Sequence, residues 1–213
     1  TSFEGFAGAV ATAGTLTGDG PAEQIMTAYT TPNLFSVLGV TPLLGRDFDA
    51  GDAFTVDPSA FGSPTPPEMP PGTVIITHGL WQRRFGGDPS TVGRTIQMDG
   101  LGQVVVGILP ADFRIYLPAD AAMPTNVDAW GLLPANISEF ARDAPWLTVV
   151  TRLRDGVSLE QGQADLDRVA ASLRDTYQFH ANQNMQIVVN GMQRDVVSHA
   201  RPTVLALLGA VGF

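Results

Sequence analysis

The stretch from Thr73 to Pro110, TVIITHGLWQRRFGGDPSTVGRTIQMDGLGQVVVGILP, narrows the folds open to this chain more than any other part of it. Val74-Ile75-Ile76 is a β-branched apolar run entered from Pro71-Gly72, which predicts a buried strand. Leu80, Trp81, Arg84 and Phe85 follow at the spacing of a one-sided helical face, and Gly86-Gly87 closes it. Asp88 supplies a capping carboxylate and Pro89 a first helical position, so a short helical turn restarts there. Thr95-Ile96-Gln97-Met98 and Val104-Val105-Val106-Gly107-Ile108 predict two strands joined through Asp99-Gly100-Leu101-Gly102. Five elements thus follow one another with no pattern of a nucleophile or a metal cage. The block is architectural, and it weighs against catalysis.

The flanking segments supply partners for this block. Residues 1–31 read as β structure. Gly18-Asp19-Gly20-Pro21 is a turn, and Gln24 to Thr30 alternates, with Ile25, Thr27 and Tyr29 on one face and Met26 and Ala28 on the other. Pro32 to Leu38 predicts a short helix ended by Gly39, with Leu34, Phe35 and Leu38 on one side. Residues 50–71 are rich in proline and lack periodicity, so a long surface loop is expected. Residues 117–126 predict another loop, Val127 to Leu133 a strand, and residues 135–145 a linker.

The character changes at Trp146. Residues 146–153 predict a strand, turned by Arg154-Asp155-Gly156. Ser158 then caps a long helix, with Gln161 at the capping-box position and Glu160 near the positive end of the dipole. Leu159, Leu166, Val169, Ala170, Leu173 and Tyr177 are expected to line its apolar face. Met185 to Val189 reads as a return strand, completing a βαβ-type unit. The expected fold class is α+β with two lobes: residues 1–31 with 136–200, and an inserted β-rich lobe of residues 32–135.

Composition excludes several chemistries. The chain of 213 residues has no cysteine, which rules out disulfides, thiolate catalysis and cysteine-held metals. It has no lysine, so a phosphate loop ending in Gly-Lys-Ser/Thr is impossible. A net charge of −9 argues against a nucleic-acid partner, which needs clustered bases. Residues 203–213, TVLALLGAVGF, are apolar throughout. A spanning helix needs about 20 such residues. Residues 201–213 suit a buried C-terminal helix or, the favoured reading, the first turns of a transmembrane helix cut by the end of the chain, with Arg201-Pro202 at its entry.

The candidates for chemistry are few. His78, His180 and His199 are far apart and have no metal-ligand spacing. His78, at the strand–helix junction, is expected to cap or to pack. Asp47, Asp49, Asp52 and Asp57 superficially resemble a calcium loop, but lack its ligand order and closing glutamate. They are expected to be solvated or to cap, with Arg83-Arg84 as available counter-charges. Trp81, Phe85, Phe35 and Leu38 are assigned to packing. The sequence therefore names no catalytic, cofactor-binding or metal residue.

The order of three blocks resembles the MacB-like periplasmic core domain. Thr31-Pro32-Asn33-Leu34-Phe35-Ser36-Val37-Leu38-Gly39-Val40, followed by Gly45-Arg46-Asp47-Phe48, is similar to its opening motif. Ile75 to Pro89 with Val92-Gly93-Arg94-Thr95-Ile96 is similar to the second block, and Val105-Val106-Gly107-Ile108-Leu109-Pro110 to the third. The wording Trp-Gln-Arg-Arg-Phe-Gly-Gly-Asp-Pro is closest to acidobacterial-type permeases of the FtsX/MacB superfamily. The resemblance implies a non-catalytic extracytoplasmic domain of an ABC transporter permease in the bacterial inner membrane, with Arg201 to Phe213 entering the second membrane helix. It implies a porter-like lobe made from both chain ends and an inserted lobe, called Sabre in MacB. It implies no cofactor here, since a cytoplasmic ATPase domain or subunit hydrolyses ATP and the lobes move with it (mechanotransmission). Relatives work as permease dimers, and their work includes efflux and export. Some dock a periplasmic adaptor protein, and others handle lipoproteins or division hydrolases. The long loop 50–71 departs from the compact family pattern. Two other readings compete: a ligand-binding module with an apolar pocket between two lobes, and an enzyme using Asp47, Asp49 or His78 in a cleft.

Overall fold

A computed structural model describes residues 1–57, 71–117, 123–139 and 147–192. The strands among them are β1 (Phe3–Thr17), β2 (Glu23–Thr30), β3 (Leu44–Gly45), β4 (Gly72–Ile76), β5 (Thr95–Met98), β6 (Leu101–Ile108), β7 (Ala129–Leu132) and β8 (Thr148–Leu153). The α-helices are α1 (Leu34–Leu38), α2 (His78–Phe85), α3 (Leu159–Thr176) and α4 (Gln178–Asn182). The class is α+β, dominated by one sheet.

The ladders of that sheet close on themselves. β1 runs antiparallel to β2 from Ala9–Thr30 to Leu16–Glu23. β2 is parallel to β7, and β7 antiparallel to β4. β4 is parallel to β6, and β6 antiparallel to β5. β5 returns to β1 at Leu16–Met98 and Thr17–Gln97. Closure into a small barrel pairs edges that would otherwise be free to template association. β3 pairs with β6, and β8 extends the sheet from β1.

The sequence reading sets residues 1–31 apart from 32–135. In the structure β2 is bonded to β7 and β1 to β5, so both segments share one sheet. The alternating pattern of β2 explains this: a strand with an apolar residue on either face can be buried between two neighbours. The chain divides into two compact units, Gly5–Phe113 with Ala122–Arg152, and Thr1–Glu4 with Arg114–Ala121 and Leu153–Phe213.

The first unit holds the barrel and its core. Leu16, Ile25, Val74, Ile76, Leu80, Trp81, Ile96, Met98, Val105, Ile108 and Ala129 form one buried cluster, drawn from six strands and α2. The block from Thr73 to Pro110 takes the predicted order, with one change at the hairpin. The connection is two residues long, Asp99 (φ 51°) and Gly100 (φ 78°), a type I′ turn, and Leu101 and Gly102 belong to β6. Two positive φ angles match the twist of the flanking strands, which lets the ladder continue to Met98–Leu101.

The second unit is organised by α3. Ser158 accepts from Gln161 N, and the Gln161 side chain accepts from Ser158 N, so the predicted capping box is formed. Its buried stripe is Gly162, Leu166 and Ala170, while Leu159 and Val169 are exposed, unlike the expected face. A Cβ on Gly162 would lie 2.8 Å from Leu153 and 3.2 Å from Phe3. That close approach turns the ridge of Gly162, Leu166 and Ala170 inward, about 60° around the helix from Leu159. Ser2 donates through N and Oγ to Asp165, at 2.7 and 2.6 Å, and so ties the first residues to this helix.

Met185–Val189 is not a strand. Gln163 replaces a ladder: its amide donates to Ile187 O at 2.7 Å and accepts from Val189 N at 2.8 Å. Arg174 donates to Met185 O. Helix side chains therefore satisfy the backbone groups that a strand would present to a sheet. The predicted βαβ return is absent over these residues. Residues 58–70 of the predicted loop, 118–122, the linker from 140, Trp146, His199 and the apolar tail 201–213 lie outside the described residues.

Candidate functional site

The acidic segment is consumed by local bonding. Asp49 caps a short 3-10 turn, Ala50–Asp52, and Asp52 accepts from Asp49 N at 2.8 Å. Arg46 grips both oxygens of Asp52 at 2.6 and 2.8 Å, and this bond holds the Asp52 carboxyl below its ordinary pKa. Asp47 accepts from Phe48 N, yet burial pushes its pKa up. Asp57 is exposed. Among the described residues no group of acids and histidines is placed to hold a metal ion. Arg83 and Arg84 do not meet this cluster; Arg46, adjacent in sequence, does.

Helix α2 sits at the centre of the first unit. Thr77, rather than His78, caps it by accepting from Leu80 N at 3.3 Å. His78 packs edge-on against Trp81, with ring centroids 5.5 Å apart. Trp81 donates from Nε1 to Asp88 O at 2.9 Å, so the indole fixes the helix and the turn after it. Gly86 (φ 63°) ends the helix in the left-handed region, with Gly86 N bonded to Gln82 O and Gly87 N to Trp81 O, a Schellman pattern.

The two adjacent arginines of α2 face different surroundings. Arg83 donates to Glu23 at 2.7 Å and to Asp128 at 2.8 Å. Burial opposes its charge, but these two bonds outweigh that and raise its pKa. Asp128 also accepts from Met26 N, so one ion network joins α2, β2 and the approach to β7. Arg84 is half-buried, and its Nη2 is inaccessible and has no hydrogen-bond partner. It lines a cavity of about 200 Å³ with Asp19, Phe85, Arg94 and Gln97. Its position on the buried face of α2 was legible from the spacing; the missing partner was not.

The three sequence blocks converge on framework contacts. Gly45 (φ 76°) and Gly107 are register partners. A Cβ on Gly45 would lie 2.2 Å from Val106 O, and one on Gly107 2.4 Å from Arg46 O. Only glycine at both positions lets β3 approach β6 this closely. Phe35 meets Phe48 at 6.1 Å, Phe113 at 5.8 Å and Trp130 at 5.5 Å between ring centroids. These aromatic contacts join the first motif to the segment after the third. Asn33 donates to Phe6 O and Thr31 accepts from Gly8 N, fastening the same motif to β1.

The family model of the MacB-like periplasmic core domain matches residues 2–169. None of the curated proteins matches the chain. Among solved structures, the chain is similar to the periplasmic region of MacB from Actinobacillus actinomycetemcomitans, with TM-score 0.54 and 12% identity over 81% of this chain and 68% of that one. It is also similar to the extracellular domain of YknZ, described as a noncanonic ABC-type transporter from Gram-positive bacteria. There the TM-score is 0.52 and the identity 15%, over 82% of this chain and 76% of that one. At these identities the likeness speaks for the fold.

Proposed function

From the premise that the chain belongs to the MacB-like periplasmic core domain family, we propose that it is the extracytoplasmic domain of an ABC transporter permease that transmits movement and catalyses no reaction. The observation that carries this reading is that the family-motif residues meet as framework contacts: Gly45 against Gly107, Phe35 against Phe48, Trp81 against Asp88. A closed barrel suits such work, because each strand of the six-stranded ring is bonded on both sides and the ring moves as one body. In this reading the domain lies outside the bacterial inner membrane, with a porter-like and a Sabre-like lobe. Residues 201–213 lead into a membrane helix. ATP hydrolysis in a cytoplasmic ATPase domain or subunit drives two permease copies, in efflux or export, with a periplasmic adaptor as a further partner. Among the described residues no helix is long and apolar enough to cross a membrane.

These 213 residues contain no cysteine, so a direct test uses a cysteine introduced here into a permease cleared of any others. Val149, 59% exposed on β8, takes a single cysteine and a spin label in the full-length permease with its ATPase, in lipid. Pulsed dipolar spectroscopy then measures the distance between the two copies. The reading expects distinct distances in the ATP-bound and nucleotide-free states. An unchanged distance distribution in a preparation that hydrolyses ATP sinks it.

A further inference from the structure

The cavity beside Arg84 has the makings of a binding site that the permease reading does not use. Its wall comes from the end of β1 and the turn after it (Leu16 to Asp19), from the end of α2 (Arg84, Phe85), and from Arg94 to Gln97 around β5. These segments all belong to the barrel unit. Arg94 is ion-paired with Asp19. Among the described residues Arg84 forms no ion pair, and its Nη2, which has no accessible surface, lacks an acceptor. Gly20 crosses close by: a Cβ there would lie 3.1 Å from Arg84 Nη1. An arginine remains charged at any ordinary pH, so the half-buried guanidinium keeps its charge at the cavity wall. Leaving such a group unsatisfied is unfavourable, and a native example calls for an explanation. Its neighbour Arg83, with two carboxylates, shows how the same helix satisfies a guanidinium elsewhere.

We infer that the Arg84 cavity binds a carboxylate, supplied by an acidic side chain of a partner polypeptide or by a small organic acid. Charge and size choose the ligand. Two arginines and one aspartate leave the wall with a single net positive charge, which matches a monoanion better than a doubly charged phosphate. A volume of about 200 Å³ is below the roughly 300–1,000 Å³ of sites for drug-sized ligands, but ample for a carboxylate on a short stem. A carboxylate in the cavity accepts a charge-assisted hydrogen bond from the guanidinium donors that face it. Phe85 and Ile96 in the same wall pack against the methylenes of that stem. The inference is independent of any movement of the domain, and fails or stands without it.

The test is a titration of the full chain at constant ionic strength, followed by NMR on the Arg84 side-chain Nε–Hε and the amides of residues 17–19 and 95–97. The probes are a short peptide with one glutamate, the same peptide with glutamine, and acetate. The glutamate peptide is expected to saturate. The glutamine peptide, and Arg84→Gln with the glutamate peptide, should bind at least about tenfold more weakly, the scale of one charge-assisted bond. Asp19→Asn frees Arg94 and should tighten binding, which keeps the test decisive if Arg84→Gln does not fold. Acetate binding within a few-fold of the peptide identifies a small acid as the source; binding of the peptide alone identifies a partner side chain. Equal binding of both peptides, binding that survives Arg84→Gln, or no saturable shift with any probe overturns the inference.

Discussion

The two compact units solve the same problem in different ways. In the barrel unit the backbone groups of β1, β2, β4, β5, β6 and β7 are satisfied by one another in a closed ring. In the unit built on α3, the segment Met185–Val189 is satisfied by side chains of the helix, chiefly both ends of the Gln163 amide. The first solution is cooperative, since each strand is held from two sides. The second hangs on single side chains, and leaves Val188 69% exposed. Asn136 shows the same device within the barrel unit, where its amide accepts from Val56 N and donates to Val56 O. A side-chain amide can stand in for a peptide partner where the chain has no strand to offer. The difference teaches that order in this protein is collective in the barrel and local around α3.

Breaking the barrel should have the largest consequence. Trp81→Ala removes a core ring and the bond to Asp88 O, and should cost about 3–5 kcal/mol, the range for large aromatic truncations. Chemical denaturation followed by the near-ultraviolet signal measures this. A loss under about 1 kcal/mol would mean that α2 is not the keystone of the barrel. Gln163→Ala attacks the second unit, and should cost about 1–3 kcal/mol from unsatisfied groups. Hydrogen exchange should rise at Val189 and leave the amides of β4 and β6 unchanged. Equal acceleration in both would erase the contrast between the units.

Smaller effects sharpen the same comparison. Ser158→Ala removes a capping box and should lower stability by about 0.5–2 kcal/mol, read as faster exchange in the first turn of α3. Acid should loosen the Arg46–Asp52 clasp least of all, because it is surface-exposed. Asp52 has a lowered folded-state pKa, so its contribution is present above the unfolded value of 3.8 and fades as pH falls through the lower folded one. Asp52→Asn should therefore speed exchange at Asp49 N at neutral pH and make little difference well below the folded-state value. A variant that matches the parent at every pH would remove the clasp from the account.

Much of the barrel's central block was legible because its signals are local. Gly86 after an apolar helical face, Asp88-Pro89 at a restart and Asp99-Gly100 between strands each set backbone dihedrals within a few residues. The capping box of α3 belongs to the same class. The packing assignments of Trp81 and Phe35 followed from spacing, and both are buried. The hairpin came out shorter than expected because a type I′ turn lets Leu101 and Gly102 pair as strand.

What the sequence by itself determined, then, was the kind of most elements, the return strand expected at Met185–Val189 excepted, and the family to which their order belongs. Tertiary structure alone decided which strands met. Ring closure pairs Thr17 with Gln97, and Thr27 with Ala129, across separations that no periodicity reports. It also decided that Gly45 and Gly107 are one feature, since the need for glycine at each arises from the carbonyl of the residue next to the other, Val106 O and Arg46 O. For the same reason the sequence could not distinguish Arg83 from Arg84. The residue types are identical, and only the placement of Glu23 and Asp128 beside one, and of a cavity whose aspartate is already paired with Arg94 beside the other, made one a paired structural charge and the other the wall of a carboxylate site. Charge pairing is set by distances in space, and those distances are fixed only when the barrel closes.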